Sequence, residues 1–329
     1  MKDDLLQYLA CPACQEALSP SDHRLTCVRC GATYPVREGI PRFPLAGEPR
    51  RVTERTRRIY TFTWRRVGQR EVEQSWEKDS YHYDALLPDG LRGGKGTVGL
   101  DAGCGGGADL LQTAQRGATL IGVDLSDGVE TAARVTHHLA NVHVVQADIH
   151  SLPFRAGSFD FIYSFGVLHH LPDPARGFER LAKLLKPGAP LVTYLYEDFS
   201  DRSAAERAVL ALLRGVRTVT SRLPSSLLLA FCWMGVPCIW LCCSVPARLL
   251  QRPFPRLAGR IPFRHTLRWP VIASDLFDRF AVPIEWRYNR QTIIELYHRA
   301  GLERIETRQY RGWVSWGRRT AAAPLRPGA

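Results

Sequence analysis

The stretch LDAGCGGGADL, residues 100–110, decides the fold of this chain. An apolar run ends on Asp101, and Gly103, Gly105 and Gly107 then lead into what reads as the first turn of a helix. Glycines at such a turn let the backbone approach a ligand closely, with free N–H groups aimed at an anionic or polar group. A G-x-G-x-G string is weak by itself, so its meaning depends on its surroundings. Further short apolar runs stand at ATLIGVDLS (118–126), NVHVVQAD (141–148), FDFIYSFG (159–166) and APLVTYLY (189–196), with amphipathic stretches at 107–116, 127–139 and 174–185. Buried strands alternating with such helices predict an α/β, Rossmann-like, mostly parallel sheet of about seven strands covered by helices on both faces. A last helix, NRQTIIELYHRAG (289–301), has Asn289 as its N-cap and Gly301 past its end, and strand-like LERIETRQY and WVSWG follow.

Two more acids sharpen the glycine loop. Asp124 ends the second strand, where a carboxylate can take both hydroxyls of a ribose, and Asp148 ends the third, where it can accept from an adenine amino group. With Asp101, all three stand at carboxyl ends of strands, where open α/β sheets bind ligands. Each alone reads as a turn or cap; the ordered set does not.

These residues resemble class I S-adenosylmethionine-dependent methyltransferases. The loop, GVDLS (122–126), QADIHSLPFRAGSFDFIYSFGVLHHLPDP (146–174) and LLKPGAPLVTYLY (184–196) match that family's motifs in order, and the core is similar to the quinone C-methyltransferases. The resemblance implies S-adenosylmethionine as cofactor. It implies that Gly103, Gly105 and Gly107 pass close to the cofactor's methionine part and that Asp101 binds its amino end. It further implies that Asp124 and Leu125 hold the ribose, that Asp148 and Ile149 flank the adenine, and that Ser164 lines the site. Ala189 stands where the family commonly has a second glycine. Methyl transfer needs alignment above all, and a base only if the acceptor loses a proton. His169 and His170 are the candidates for that base, the alternative being that they cap or pack the following helix. Tyr60 and Trp64 read either as a lid over the site or as packing residues.

Cys11, Cys14, Cys27 and Cys30 form C-x2-C-x12-C-x2-C, a spacing that presents four thiolates to one tetrahedral zinc. Four protein ligands close such a site, which makes it structural. Together with GATYPVREGIPRF (31–43), the segment resembles the small activator subunit of tRNA and release-factor methyltransferases. The remaining cysteines are Cys104 in the loop and four in an apolar stretch, a distribution that in a reducing compartment favours metal binding over disulfides. MKDDLLQYLACPAC (1–14) lacks the basic and apolar regions of a signal peptide, so a cytoplasmic protein is expected.

The net charge of +12 suggests an anionic partner such as nucleic acid, phospholipid headgroups or a phosphorylated substrate. RRVTERTRRIYTFTWRR (50–66) is the densest basic stretch. From Arg207 to Ser274 there are ten arginines and no acid, and SSLLLAFCWMGVPCIWLCCSV (225–245) carries no charge at all. Pro237 predicts a break into two arms, giving either a hairpin at the inner face of an anionic membrane or a helical cap over the acceptor. Arginines recur at 248, 252, 256, 260, 264 and 268. The expected parts are a zinc ribbon (1–44), a basic linker with lid helices (45–95), the cofactor core (96–197), the insert (198–288), the last helix and strands (289–319) and a flexible tail (320–329). The function expected is methyl transfer to oxygen or carbon of a small lipophilic acceptor. RNA methylation is the alternative, and no protein partner is implied.

Overall fold

A computed structural model describes residues 1–45, 50–74, 86–258, 261 and 267–320, apart from the side chains of residues 50, 66–74, 89 and 256. Residues 75–85 of the expected lid region, Arg260 and Arg264 of the arginine series, and residues 321–329 of the expected tail lie outside the described residues.

The first hairpin pairs β1 (Leu18–Ser21) with β2 (Arg24–Cys27), and β3 (Thr33–Arg37) and β4 (Ile40–Pro41) complete a four-stranded sheet. The main sheet is built on β5 (Val98–Ala102), β6 (Thr119–Asp124), β7 (Val142–Gln146), β8 (Phe161–Phe165) and β9 (Pro190–Leu195). It is finished by β10 (Leu302–Gln309) and β11 (Trp313–Arg319), in the order β10-β11-β9-β8-β5-β6-β7. The central strands are parallel, and β11 runs antiparallel to both β9 and β10. The seven-stranded, mostly parallel sheet is the one the sequence predicts. Chain order reverses direction between β5 and β8, which makes the carboxyl ends of these strands the binding edge.

The ribbon covers the β7 edge of this sheet. The Phe43 N–H donates to the Gln146 carbonyl at 2.8 Å, Ala10 N–H to Pro153 at 2.9 Å, and Arg155 N–H to Tyr8 at 2.9 Å. Lys2 Nζ reaches the carbonyls of Leu139 and Val142 at 2.6 and 2.8 Å. Leu5, Leu9, Leu25, Tyr34 and Phe43 share one apolar cluster with Val145, Phe154 and Phe159. An open strand edge would otherwise template aggregation.

The helices in chain order are α1 (Arg50–Gln74), α2 (Ala108–Ala114), α3 (Gly128–Val135) and α4 (Pro174–Leu184), followed in the insert by α5 (Ala204–Thr220). α6 comes next and is one continuous helix, Ser225–Leu250. The expected break at Pro237 is absent, so the hairpin reading is overturned. A proline removes one helical hydrogen bond and crowds the preceding turn, and a π-turn at Trp240–Ser244 resets the ladder just beyond it. Tertiary packing outweighs the local penalty: Leu228, Cys232 and Val236, one helical stripe, bury against Ile272, Ala273, Leu276 and Phe277 of α8 (Trp269–Ala281). The single turn α7 (Pro255–Ala258) lies between them, and α9 (Arg290–Arg299) starts on the Asn289 side chain, which accepts from Thr292 N–H at 2.9 Å. The outer face of α6 is left to solvent, with Met234 74%, Leu241 63% and Leu249 72% exposed.

Candidate functional site

At the end of β5 the chain turns through Gly103 (φ +96°), Gly105 (φ +50°) and Gly107 (φ +87°) into α2. A Cβ on Gly103 would lie 2.3 Å from Val167, and one on Gly107 would lie 2.8 Å from the Ala132 backbone, so neither position has room for a side chain. A Cβ on Gly105 would strike the Trp64 ring at 2.3 Å. Trp64 therefore lies directly over the loop, carried there by α1.

Asp124 organises the turn. Its carboxylate accepts from Gly105 N–H at 3.0 Å, Ser126 N–H at 2.7 Å and the Ser126 hydroxyl at 2.6 Å. Burial raises its pKa, and those hydrogen bonds oppose the rise. Asp101 is 2% exposed, and one of its carboxylate oxygens has no hydrogen-bond partner among the described residues. Burial, and then the charges of Asp109 and Asp124, push its pKa well above the ordinary carboxylate range. An orphaned buried oxygen of this kind fits a cationic group arriving from outside. Asp148 is also buried, and accepts from the backbone and ring nitrogens of His150 at 2.9 and 3.0 Å. Ile149 is buried beside it, and the Leu125 carbonyl accepts from Gln146 at 3.3 Å. The Ser164 hydroxyl is used within the sheet, donating to the Ala102 carbonyl at 2.7 Å. The structure thus brings Asp101, Gly103, Gly105 and Asp124 to one mouth, with Asp148 and Ile149 at the neighbouring strand end. The glycine turn, the orphaned Asp101 oxygen and the Asp124 carboxylate held against that turn together fit S-adenosylmethionine.

Both histidines lie in the turn after β8, next to the Val167 that packs on Gly103. His169 is wholly buried, its ring centroid 3.9 Å from that of Tyr196 and tilted by 35°, and neither ring nitrogen has a partner among the described residues. His170 is 5% exposed, with Nδ1 2.7 Å from the Ile284 carbonyl. Burial lowers the pKa of each, so both rings are neutral near pH 7.

Sequence reading missed the supports. Arg42 of the ribbon donates to the Gln146 side chain at 2.7 Å and to Glu130 at 3.0 Å. Gln146 in turn donates to Asp127 at 3.2 Å, and Arg65 of α1 meets the same Asp127 at 2.8 Å. Ribbon, ribose loop and lid helix are thereby one polar network, assembled from positions too far apart for any motif. Arg57, Arg58 and Arg65 also line a groove of about 520 Å³ beside α1. In the insert, Arg217 of α5 and Arg287 flank the buried Glu285, and Trp286 N–H donates to the His169 carbonyl at 2.8 Å.

The four cysteine sulfurs lie within 4.8 Å of one another, with Cys11 to Cys30 at 3.7 Å and Cys14 to Cys27 at 3.4 Å. Tetrahedral zinc with bonds of about 2.3 Å asks for sulfur separations of roughly 3.8 Å, so the donor set fits the metal.

Residues 100–193 match the methyltransferase domain model, and residues 2–39 match the model of Trm112p-like protein. The chain is 31% identical over 168 residues to a tRNA U34 carboxymethyltransferase of Pseudoalteromonas translucida, covering 49% of this chain and 51% of that one. It is 34% identical over 132 residues to a ubiquinone biosynthesis O-methyltransferase of Coxiella burnetii, covering 40% and 54%. The chain spans about half the length of these curated relatives. Among solved structures, the 1,6-didemethyltoxoflavin-N1-methyltransferase of Burkholderia thailandensis shares the fold, at TM-score 0.50 and 18% identity over 92% of this chain and 99% of that one. The chain therefore carries a Trm112p-like segment followed by a methyltransferase domain.

Proposed function

We propose that the protein is an S-adenosylmethionine-dependent methyltransferase acting on oxygen or carbon of a small lipophilic acceptor, at the cytoplasmic face of an anionic membrane. The observation that carries the activity is the orphaned Asp101 oxygen beside the glycine turn, at the strand ends where Asp124 and Asp148 also stand. When bound, the cofactor supplies an electrophilic methyl group. In this reading Asp101 takes the amino end, Asp124 and Leu125 the ribose, and Asp148 with Ile149 the adenine. Gly103, Gly105 and Gly107 let the methionine part approach the backbone. Trp64 and α1 exclude water from above, which strengthens these contacts.

His170 is the better placed of the two candidate bases. A carbonyl oxygen only accepts, so Nδ1 carries the proton toward Ile284, and Nε2 keeps a lone pair. His169 is buried between the rings of His170 and Tyr196, which suits a wall.

The insert supports a lipophilic acceptor. α6 is long and apolar enough to cross a membrane, but its inner stripe is committed to α8, so its outer face is what meets lipid. Val209, Leu212, Val216 and Val219 of α5 extend the exposed apolar surface. Arg207, Arg214, Arg222, Arg248, Arg252 and Arg268 flank these apolar runs along the chain, with no acid between residues 207 and 274. Exposed apolar surface edged by cations matches an anionic bilayer surface. The second reading, RNA methylation, draws on the arginine-lined groove beside α1 and the tRNA-modifying relative.

Tritium transferred from labelled cofactor into a lysate, separated into lipid, RNA and protein, tests the reading. Label in the lipid fraction is expected. Label in RNA selects the second reading, and label in protein alone refutes both.

A further inference from the structure

Four elements far apart in sequence meet on the acceptor side. Tyr60 comes from α1, His170 from the turn after β8, Tyr196 from the end of β9, and Asp278 from α8 of the insert. The Tyr60 ring lies 6.1 Å from the His170 ring, and the Tyr196 ring lies 5.9 Å from it at right angles. The Tyr60 hydroxyl donates to the Asp278 carboxylate. On the side of His170 opposite Ile284, Nε2 is buried with no partner among the described residues. Buried acceptors are seldom left unpaired unless a water or ligand completes them. Nearby, Arg279 pairs with Asp275 at 3.5 Å, and Arg217 and Arg287 pair with Glu285. Phe62 of α1 packs on Phe277 of α8, with ring centroids 5.5 Å apart, which ties α1 to the apolar insert beside these residues.

We propose that Asp278 and His170 Nε2 form a paired hydrogen-bond acceptor between the rings of Tyr60 and Tyr196, a subsite for a neutral, hydroxylated aromatic ring as the methyl acceptor. This rests on the methyltransferase reading above. Two acceptors call for a ligand with O–H donors, and flat aromatic walls call for a flat ring. His170 is the catalytic residue: it takes the ring's hydroxyl proton on Nε2 as the oxygen forms its bond to the methyl carbon. The carbon–sulfur bond breaks with its electron pair staying on sulfur, and the imidazolium then passes its proton to water. Asp278 is a positioning residue that fixes the Tyr60 hydroxyl and orients the second O–H of the ring.

Calorimetry on the full chain saturated with S-adenosylhomocysteine, with ethyl gallate as the probe, tests the assignment. Ethyl gallate should bind the native protein. Asp278→Asn and Asp278→Ala should weaken it at least tenfold, Asp278→Glu should restore it to within threefold, and S-adenosylhomocysteine affinity should stay unchanged in all three. Melting temperatures within 2 °C of native establish that the variants are folded. Absence of ethyl gallate binding to the saturated native protein overturns the proposal, as does equal binding by a folded Asp278→Asn. Preferential binding of phenethylamine, lost in Asp278→Asn, also overturns it, because the subsite would then serve a cation. Failure of S-adenosylhomocysteine itself to bind would instead refute the methyltransferase reading.

Discussion

Asp101→Asn should make the unliganded protein more stable while removing its response to cofactor. The native carboxylate is buried, one oxygen lacks a partner among the described residues, and the nearby Tyr163 hydroxyl only partly offsets the cost of its burial and of the Asp109 and Asp124 charges. Its folded pKa is raised above the unfolded value of about 3.9. The protonated acid's contribution is therefore fully present below about pH 3.9 and is lost as pH rises through the folded pKa. Above its folded pKa the ionised group is a net burden that a neutral isostere removes. An unsatisfied buried polar group costs about 1–3 kcal/mol. At about 2 °C per kcal/mol for a chain of this length, Asp101→Asn should melt about 2–6 °C higher than native at pH 8. The gap should narrow as pH is lowered through the folded pKa. S-adenosylhomocysteine at a hundred times its Kd stabilises a native state by about 2.7 kcal/mol, which is roughly 5 °C here, and the variant should show almost none of this. Scanning calorimetry across pH 5 to 8.5, with and without the ligand, measures both effects. A variant that melts no higher than native at pH 8, or that keeps the full ligand shift, would refute the placement of an ionic contact at Asp101.

Asp124→Ala removes the acceptor of three hydrogen bonds that hold the glycine turn. It should weaken S-adenosylhomocysteine binding by about 2–3 kcal/mol and also lower the melting temperature, and an unchanged calorimetric affinity would contradict this. Freshly purified protein should contain one zinc per chain, with less than half an equivalent counting against the ribbon. Cys27→Ser should aggregate, by light scattering, before it loses ligand affinity, because the ribbon shields the β7 edge. The full chain should sediment with anionic liposomes at low salt and partly release at high salt. Met234→Ser, Leu241→Ser and Leu249→Ser together should abolish sedimentation and leave S-adenosylhomocysteine binding intact. Those three side chains point outward, whereas deleting α6 would open its packing on α8. Native protein that stays in the supernatant at low salt would sink the membrane reading.

Much of the fold was legible in the sequence because its signals are local. The strand runs around Asp101, Asp124 and Asp148, the glycine turn, the Asn289 cap and the paired cysteines each depend on residues within a few positions of one another. The backbone's hydrogen-bonding needs and side-chain periodicity act over that range, so an ordered series of such signals specifies a parallel sheet and a four-thiolate knuckle. Pro237 is a local signal that misled. Its cost in a helix is real, but the stripe of Leu228, Cys232 and Val236 against α8 outweighs it, and that partner lies some forty residues away. The same separation hid Arg42 behind the ribose loop, Trp64 above Gly105, and Asp278 beside His170. Composition and spacing determined the layers, the cofactor edge and the metal site. Which side chains close over that edge was decided only by tertiary packing, because burial and charge pairing act through space and leave no spacing in the chain to read.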